Sequence, residues 1–226
     1  MKVLLVLTIA FALVWAWARH GRVANEHAVG AVAIELAGRP VEVRCQGFWS
    51  ELLDINSRAG EVQFPDGHPA NDTYLTRATC GALKRFRTAS DHPELACLRA
   101  VDWSRWTVPV DFHSPCSDRA RPAAEALLTL THESLHLRGW IDEAETQCYA
   151  IQIVPWTVVR LGGTPADGAA VAKFVLALQA AMPAEYRSDS CSAGGGLDLF
   201  PETAAFPAES PPQLPSTGLY GPALAP

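Results

Sequence analysis

Apolar positions along most of this chain recur at spacings of three and four residues, and strict alternation is confined to two short stretches in the N-terminal half. Val41, Val43 and Cys45 alternate with Glu42 and Arg44 as in a half-buried strand. Val62 and Phe64 alternate with Glu61 and Gln63 ahead of a Pro65-Asp66-Gly67 turn. From Thr73 to about Phe86 the period lengthens, and Leu75, Ala78, Thr79, Ala82, Leu83 and Phe86 predict an amphipathic helix. Pro93 opens a short helix carrying Leu95, Cys97 and Leu98, and the tryptophan-rich stretch Val101 to Pro109 reads as loop or extended chain. Pro122 marks the first turn of a helix running to about Leu137, stopped by Gly139. Another begins at Asp142, continues beyond Ile151 and is disturbed at Pro155, while Thr164-Pro165 caps a last helix ending before Pro183. The fold class that follows is α+β, mostly helical, with a few strands near the N-terminus.

The two ends read differently from this middle. Val3 to Ala18 is an apolar run broken only by Thr8, preceded by Lys2 and followed by Arg19, His20 and Arg22. Residues 1–18 therefore read either as a signal peptide with a small-x-small step at Ala16-Trp17-Ala18, or as an N-terminal membrane anchor with Trp15 and Trp17 at the interface. Residues 19–38 read as a connector, in which Val29 to Leu36 can pair as a strand. The domain proper is expected over 39–200, and the Pro-rich segment 201–226 reads as a disordered tail.

Cysteine usage agrees with export. Cys45, Cys80, Cys97, Cys116, Cys148 and Cys191 are even in number and contain no C-x-x-C pair, so disulfides in an oxidising, extracytoplasmic compartment are expected. Six cysteines allow 15 pairings, among which the sequence does not choose, and Cys191, beyond the last helix, is one natural partner for Cys148. The net charge of −6 and the lack of any concentrated Lys/Arg stretch argue against a nucleic-acid partner. Contact with a membrane is expected only through residues 3–18.

The candidate chemistry lies on the Pro122 helix, which reads Thr131-His132-Glu133-Ser134-Leu135-His136. Four residues turn a helix by about 400°, so the two imidazoles of this H-E-x-x-H pattern emerge one above the other and can reach one ion. Glu133 lies about 100° round the helix from His132, beside such an ion and not bonded to it. That is the place for a general base acting on a water that a zinc ion has acidified. A catalytic zinc needs a third protein ligand, and the acidic residues just downstream are Asp142, Glu143 and Glu145. Asp142 followed three residues later by Glu145 has the form of a capping box, which favours Glu143 as the ligand.

His132 to His136 followed by Glu143-Ala144-Glu145-Thr146-Gln147-Cys148-Tyr149-Ala150 resembles the gluzincin-like zinc metallopeptidases, in which a second helix supplies a glutamate ligand. The resemblance implies a small zincin-like domain with the H-E-x-x-H helix packed on a second ligand-bearing helix. It implies His132, His136 and Glu143 as metal ligands, Glu133 as catalytic base, Zn2+ as cofactor and a peptide or protein as substrate. Gln147 departs from the pattern, since such families often have there an aspartate that orients a ligand histidine. His132 to Asp142 is also similar to the metzincin motif with Asp142 as third ligand, although Met182 is a poor match for a methionine turn. Both resemblances cover only residues 120 to 155.

Two further groups could donate a hydrogen bond to a developing oxyanion, His113 and Tyr186. Leu197-Asp198-Leu199 is placed to dock the C-terminus, with Asp198 a cap or an exposed charge. Peptide-bond hydrolysis is the expected activity, with substrate extended along a strand edge such as Val41 to Cys45. The competing expectation is a disulfide-bonded cell-envelope binding protein with a structural or vestigial metal site.

Overall fold

The computed structural model describes residues 2–47, 59–103, 116, 120–203 and 205–208. In chain order the elements are α1 (Lys2–Ala37), β1 (Glu42–Cys45), β2 (Gly60–Val62), β3 (Asp72–Leu75), α2 (Arg77–Thr88), α3 (Pro93–Ala100), α4 (Ala120–Arg138), α5 (Glu143–Arg160) and α6 (Pro165–Gln179). Short 3-10 turns cover Pro65–Gly67 and Ala184–Tyr186. The α+β, mostly helical class holds.

The connector expected over 19–38 is instead the second half of α1. Val29, Val32, Ala33, Leu36 and Ala37 are all buried at helical spacing, so the stretch is a core element and Val29 to Leu36 is not a strand. Polar contacts fix its place: Asn25 donates to the Cys80 carbonyl, Glu26 accepts from the Cys45 backbone N–H, and Arg138 donates to the Leu36 carbonyl. The apolar run 3–18 forms the first half of the same helix. Among the described residues no helix is long and apolar enough to cross a membrane, and the anchor expectation finds no support there.

The three strands form one small sheet in the order β1-β3-β2, with β1 parallel and β2 antiparallel to β3. The helix expected from Thr73 begins later, at Arg77. Asp72–Leu75 is strand, with Thr73 and Leu75 facing the core, and Thr76 caps α2 by accepting from the Thr79 backbone N–H. Strands of three and four residues hold little by themselves. A disulfide between Cys45 and Cys80 ties β1 to α2.

Helices α4, α5 and α6 make the main layer, α5 lying between its neighbours in sequence. A hydroxyl pair, Thr131 and Thr157 at 2.8 Å, bridges α4 and α5 inside the core. The helix α5 runs through Pro155 without a break, although that residue supplies no backbone N–H; Val154 and Pro155 are both buried between neighbouring elements, whose packing holds the turn. At the start of α6, Thr164 and Asp167 form a reciprocal capping box, and Arg99 from α3 pairs with the buried Asp167 carboxylate. Cys97–Cys116 and Cys148–Cys191 complete three disulfides, which fit an oxidising, extracytoplasmic setting.

Trp103 is buried, donating to the Leu98 carbonyl and meeting Phe174 edge-on; residues 104–109 of the tryptophan-rich stretch lie outside the described residues. The segment Leu197 to Leu199 docks on α5 as anticipated, because Gln152 donates to the Leu197 carbonyl and accepts from the Leu199 N–H. Asp198 accepts from the N–H groups of Gly194 and Phe200 and so acts as a local cap. Ala208 is buried, and the tail from 209 onward lies outside the described residues.

Candidate metal centre

His132 and His136 occupy the last third of α4, one turn apart, with their rings 4.5 Å centroid to centroid and nearly perpendicular. Their Nε2 atoms face each other at 2.9 Å. The Glu143 carboxylate, on the first turn of α5, completes the group: its Oε2 lies 2.9 Å from His132 Nε2 and 3.2 Å from His136 Nε2. Among the described residues this is the one cluster of His, Cys, Asp and Glu able to hold a metal ion.

Whether the group fits a cation is a question of lone pairs and spacing. His136 Nδ1 donates to the Trp140 carbonyl at 2.6 Å, which leaves the lone pair of a neutral ring on Nε2, pointing at the other two ligand atoms. Ligand atoms around a tetrahedral zinc with bonds of about 2.0–2.1 Å stand about 3.3 Å apart. The three separations observed come close to that figure. The cluster is buried on the α4 side, where His132 and His136 are 6% and 4% exposed, and it opens toward solvent at the Glu143 carboxylate. Three ligands with an open side fit a divalent cation that keeps an exchangeable position.

The carbonyl that orients His136 is delivered by the end of its own helix. Gly139 takes φ +118°, its N–H returns to the His136 carbonyl, and the Trp140 N–H returns to Leu135. This glycine-closed helix terminus folds the Trp140 carbonyl back over the imidazole. Trp140 is itself held by an edge-on contact with Tyr149 of α5.

Electrostatics within the cluster divide the two histidines. Burial pushes the His132 pKa down, against the opposing pull of Glu143 and Gln147. Burial acts on His136 in the same sense but is outweighed by Glu143, by the charge of Glu133 and by the Trp140 carbonyl, so its pKa rises. Hydrogen bonds from His132 and then His136 hold the Glu143 carboxyl well below the usual carboxylate range.

Gln147, buried four residues after Glu143 on α5, stands beside the His132 ring and favours its charged form. It does so without closing a hydrogen bond to Nδ1, which makes none. The position that the resemblance gives to an orienting aspartate is therefore filled by a weaker partner.

Asp142 stands outside the cluster. It is the N-cap of α5, and its side chain accepts from the Glu145 backbone N–H at 2.8 Å, so nothing in the cluster's geometry supports the metzincin-like alternative. Glu145 lies outside the cluster. Cys148 faces away from the metal ligands and is joined to Cys191.

Glu133 is buried beside the cluster and packs against Gly60 of β2. A Cβ at residue 60 would stand 2.7 Å from Glu133 Cγ and 2.9 Å from its Oε1. The strand beside the metal helix is thus β2. The edge suggested by sequence, β1, lies against α1, whose Glu26 takes the Cys45 N–H. In the β2–β3 ladder Thr76 N–H donates to the Ala59 carbonyl and Glu61 faces Tyr74, so the backbone groups of Gly60 and Val62 point away from β3.

Two aromatic rings flank the imidazoles, Phe64 meeting His136 edge-on at 5.7 Å and Tyr186 lying 5.9 Å from His132. Tyr186, an oxyanion candidate from sequence, is therefore brought to the cluster, whereas His113 lies outside the described residues. Sequence reasoning missed Gly60, Phe64 and the Trp140 carbonyl. Only the last had a local signal, in the Gly139 stop three residues after His136. Set against protein-family models, curated proteins and solved structures, the chain matches none at a significant level, and its functional reading rests on this geometry.

Proposed function

We propose that this chain is a zinc-dependent hydrolase of peptide bonds, of the gluzincin-like type that its two ligand-bearing helices resemble. The observation that carries the reading is the convergence of His132, His136 and Glu143 on one point with Glu133 buried beside it against a strand. Those three residues would hold the ion. Zinc so held supplies Lewis acidity, lowering the pKa of a water to about 7 and polarising a substrate carbonyl. Glu133 takes the proton of the attacking water and passes it to the departing amine. Its place against Gly60 keeps that carboxylate from turning away. A substrate strand lies along β2, where the outward backbone groups of Gly60 and Val62 offer pairing. Tyr186, whose ring lies 5.9 Å from that of His132, would present its phenolic O–H to the developing oxyanion.

The test is Glu133→Gln in the full chain, assayed on a fluorogenic protein digest with zinc measured in the same preparation. Zinc should remain at one per chain while turnover disappears. Hydrolysis at the wild-type rate by that variant removes Glu133 from the mechanism. A zinc-loaded wild-type chain that cleaves nothing returns the site to the structural-metal, envelope-binding reading.

A further inference from the structure

Tyr186 belongs to none of the helices that carry the metal ligands. It ends a single 3-10 turn, Ala184–Tyr186, after Pro183, and the backbone bonds of that turn are local, Tyr186 N–H to Pro183 and Arg187 N–H to Ala184. The turn packs against α5, the helix of Glu143, and two fastenings farther along bind the segment that follows it to the same helix.

The first is the Cys148–Cys191 disulfide. Cys148 lies five residues after Glu143, about 7.5 Å along the helix axis, and Cys191 lies five residues after Tyr186. The second is Gln152, one turn farther on, which is 1% exposed and spends both ends of its amide on the segment. It donates to the Leu197 carbonyl and accepts from the Leu199 N–H, each at 2.8 Å. The two are joined to each other, since Gln152 Nε2 also lies 3.2 Å from the Cys148 carbonyl and Leu197 N–H donates to Ser190 beside Cys191.

We propose that the Cys148–Cys191 disulfide, backed by the Gln152 amide clamp, positions Tyr186 over His132, so that metal binding and tyrosine placement are separately built parts of one site. The proposal rests on the hydrolase reading for what Tyr186 does, though not for where it sits. With the disulfide open, the four residues between Tyr186 and position 191 no longer lead to a point fixed on α5, and the segment that follows the ring is free to shift it off the cluster. The ligands His132, His136 and Glu143 stand on α4 and α5 and keep their geometry.

The experiment compares the zinc-loaded full chain with its Cys148→Ser/Cys191→Ser, Tyr186→Phe and combined variants. Opening the disulfide should leave zinc at one per chain and lower kcat by the same factor as Tyr186→Phe, about 10²–10³ for a lost oxyanion donor, with little change in KM. In the Tyr186→Phe background the cysteine changes should then cost less than twofold, because the group they position is already gone. An equal loss in both backgrounds marks general loosening and overturns the proposal. So does full activity of the cysteine variant.

A readout independent of activity is the 19F resonance of 3-fluorotyrosine at position 186, assigned by its disappearance in Tyr186→Phe. Zinc should shift it in the wild-type chain and leave it unmoved once the disulfide is open; a shift that persists also overturns the proposal. Should the cysteine variant fail to fold, Gln152→Leu is expected to diminish the same zinc-induced shift, and an unchanged shift there counts against it. A chain whose Tyr186 resonance answers to zinc but which cleaves no peptide defeats the hydrolase reading and leaves the positioning claim standing.

Discussion

Adding one methyl group at Gly60 isolates the role of Glu133 more cleanly than altering Glu133 itself. In Gly60→Ala the new Cβ would stand 2.7 Å from Glu133 Cγ, 2.9 Å from Oε1 and 3.0 Å from Cδ. Carbon pairs settle at about 3.5–4.0 Å, so one partner must yield by about 0.8 Å or more. The strand is poorly free to move: Gly60 is paired with Leu75 of β3, and the Ala59 carbonyl next to it accepts from both the Thr76 N–H and the Thr79 hydroxyl. The carboxylate therefore swings. A misplacement of about 1 Å at a catalytic group costs on the order of 10²-fold in rate, equivalent to about 2.7 kcal/mol of barrier. The assay is kcat on a fluorogenic protein substrate, with zinc stoichiometry and far-ultraviolet circular dichroism taken on the same sample. Zinc and spectrum should be unchanged while kcat drops about 100-fold, and Gly60→Ala should add nothing to Glu133→Gln. Wild-type turnover in Gly60→Ala, or loss of zinc with the loss of rate, would refute the placement of Glu133 against β2.

Metal affinity should fall as pH falls. Because the His136 pKa is raised and that of His132 lowered, protons compete first for His136, while His132 and Glu143 resist; equilibrium dialysis should show zinc lost below about pH 6, and tight retention near pH 4 would exclude these ligands. Gly139→Ala should weaken zinc binding by about tenfold, since a residue with a Cβ at φ +118° disturbs the helix end that aims the Trp140 carbonyl at His136; unchanged affinity would remove that carbonyl from the site. Thr164→Ala should lower unfolding free energy by about 1 kcal/mol at pH 7 by taking away the α6 cap. Asp167 is buried, which raises its pKa, but the bonds from Thr164 and the pairing with Arg99 outweigh that and lower it overall. Its contribution is therefore present above the ordinary aspartate pKa and lost as pH falls through the lower, folded value; a cap loss that grew on acidification would contradict this sign.

The sequence disclosed the site better than its surroundings. His132, Glu133 and His136 are legible because their geometry is local to one helix, and Glu143 because Asp142 is visibly committed to capping the next. The second half of α1 was equally legible, since Val29, Val32, Ala33 and Leu36 stand at i, i+3, i+4 and i+7, but the interspersed charged and small residues hid the period. Thr73 and Leu75 satisfy a helical spacing and an alternating one alike, and only the Thr76 cap tells strand from helix there. Gly60 and Phe64 carry no local mark at all, and Tyr186 is a candidate by residue type alone. Each matters through one long-range contact, with Glu133, His136 and His132 respectively.

That division tracks how the site is held. Its candidate metal ligands sit on two long helices that pack against each other. The groups that complete it, Gly60 on a three-residue strand and Tyr186 on a single 3-10 turn, come from elements too short to persist alone. Covalent ties act close to these parts: Cys45–Cys80 joins β1, at the opposite edge of the same sheet, to α2, and Cys148–Cys191 joins the C-terminal segment to α5. A disulfide closing a loop of several tens of residues contributes about 2–4 kcal/mol, comparable with everything else such short elements can offer. In a reducing compartment the ligand triad would still form, but β1 would lose its covalent tie to α2 and the segment after Tyr186 its covalent tie to α5. Metal binding should therefore survive reduction where turnover does not, and a domain built this way is complete only after its cysteines have been oxidised.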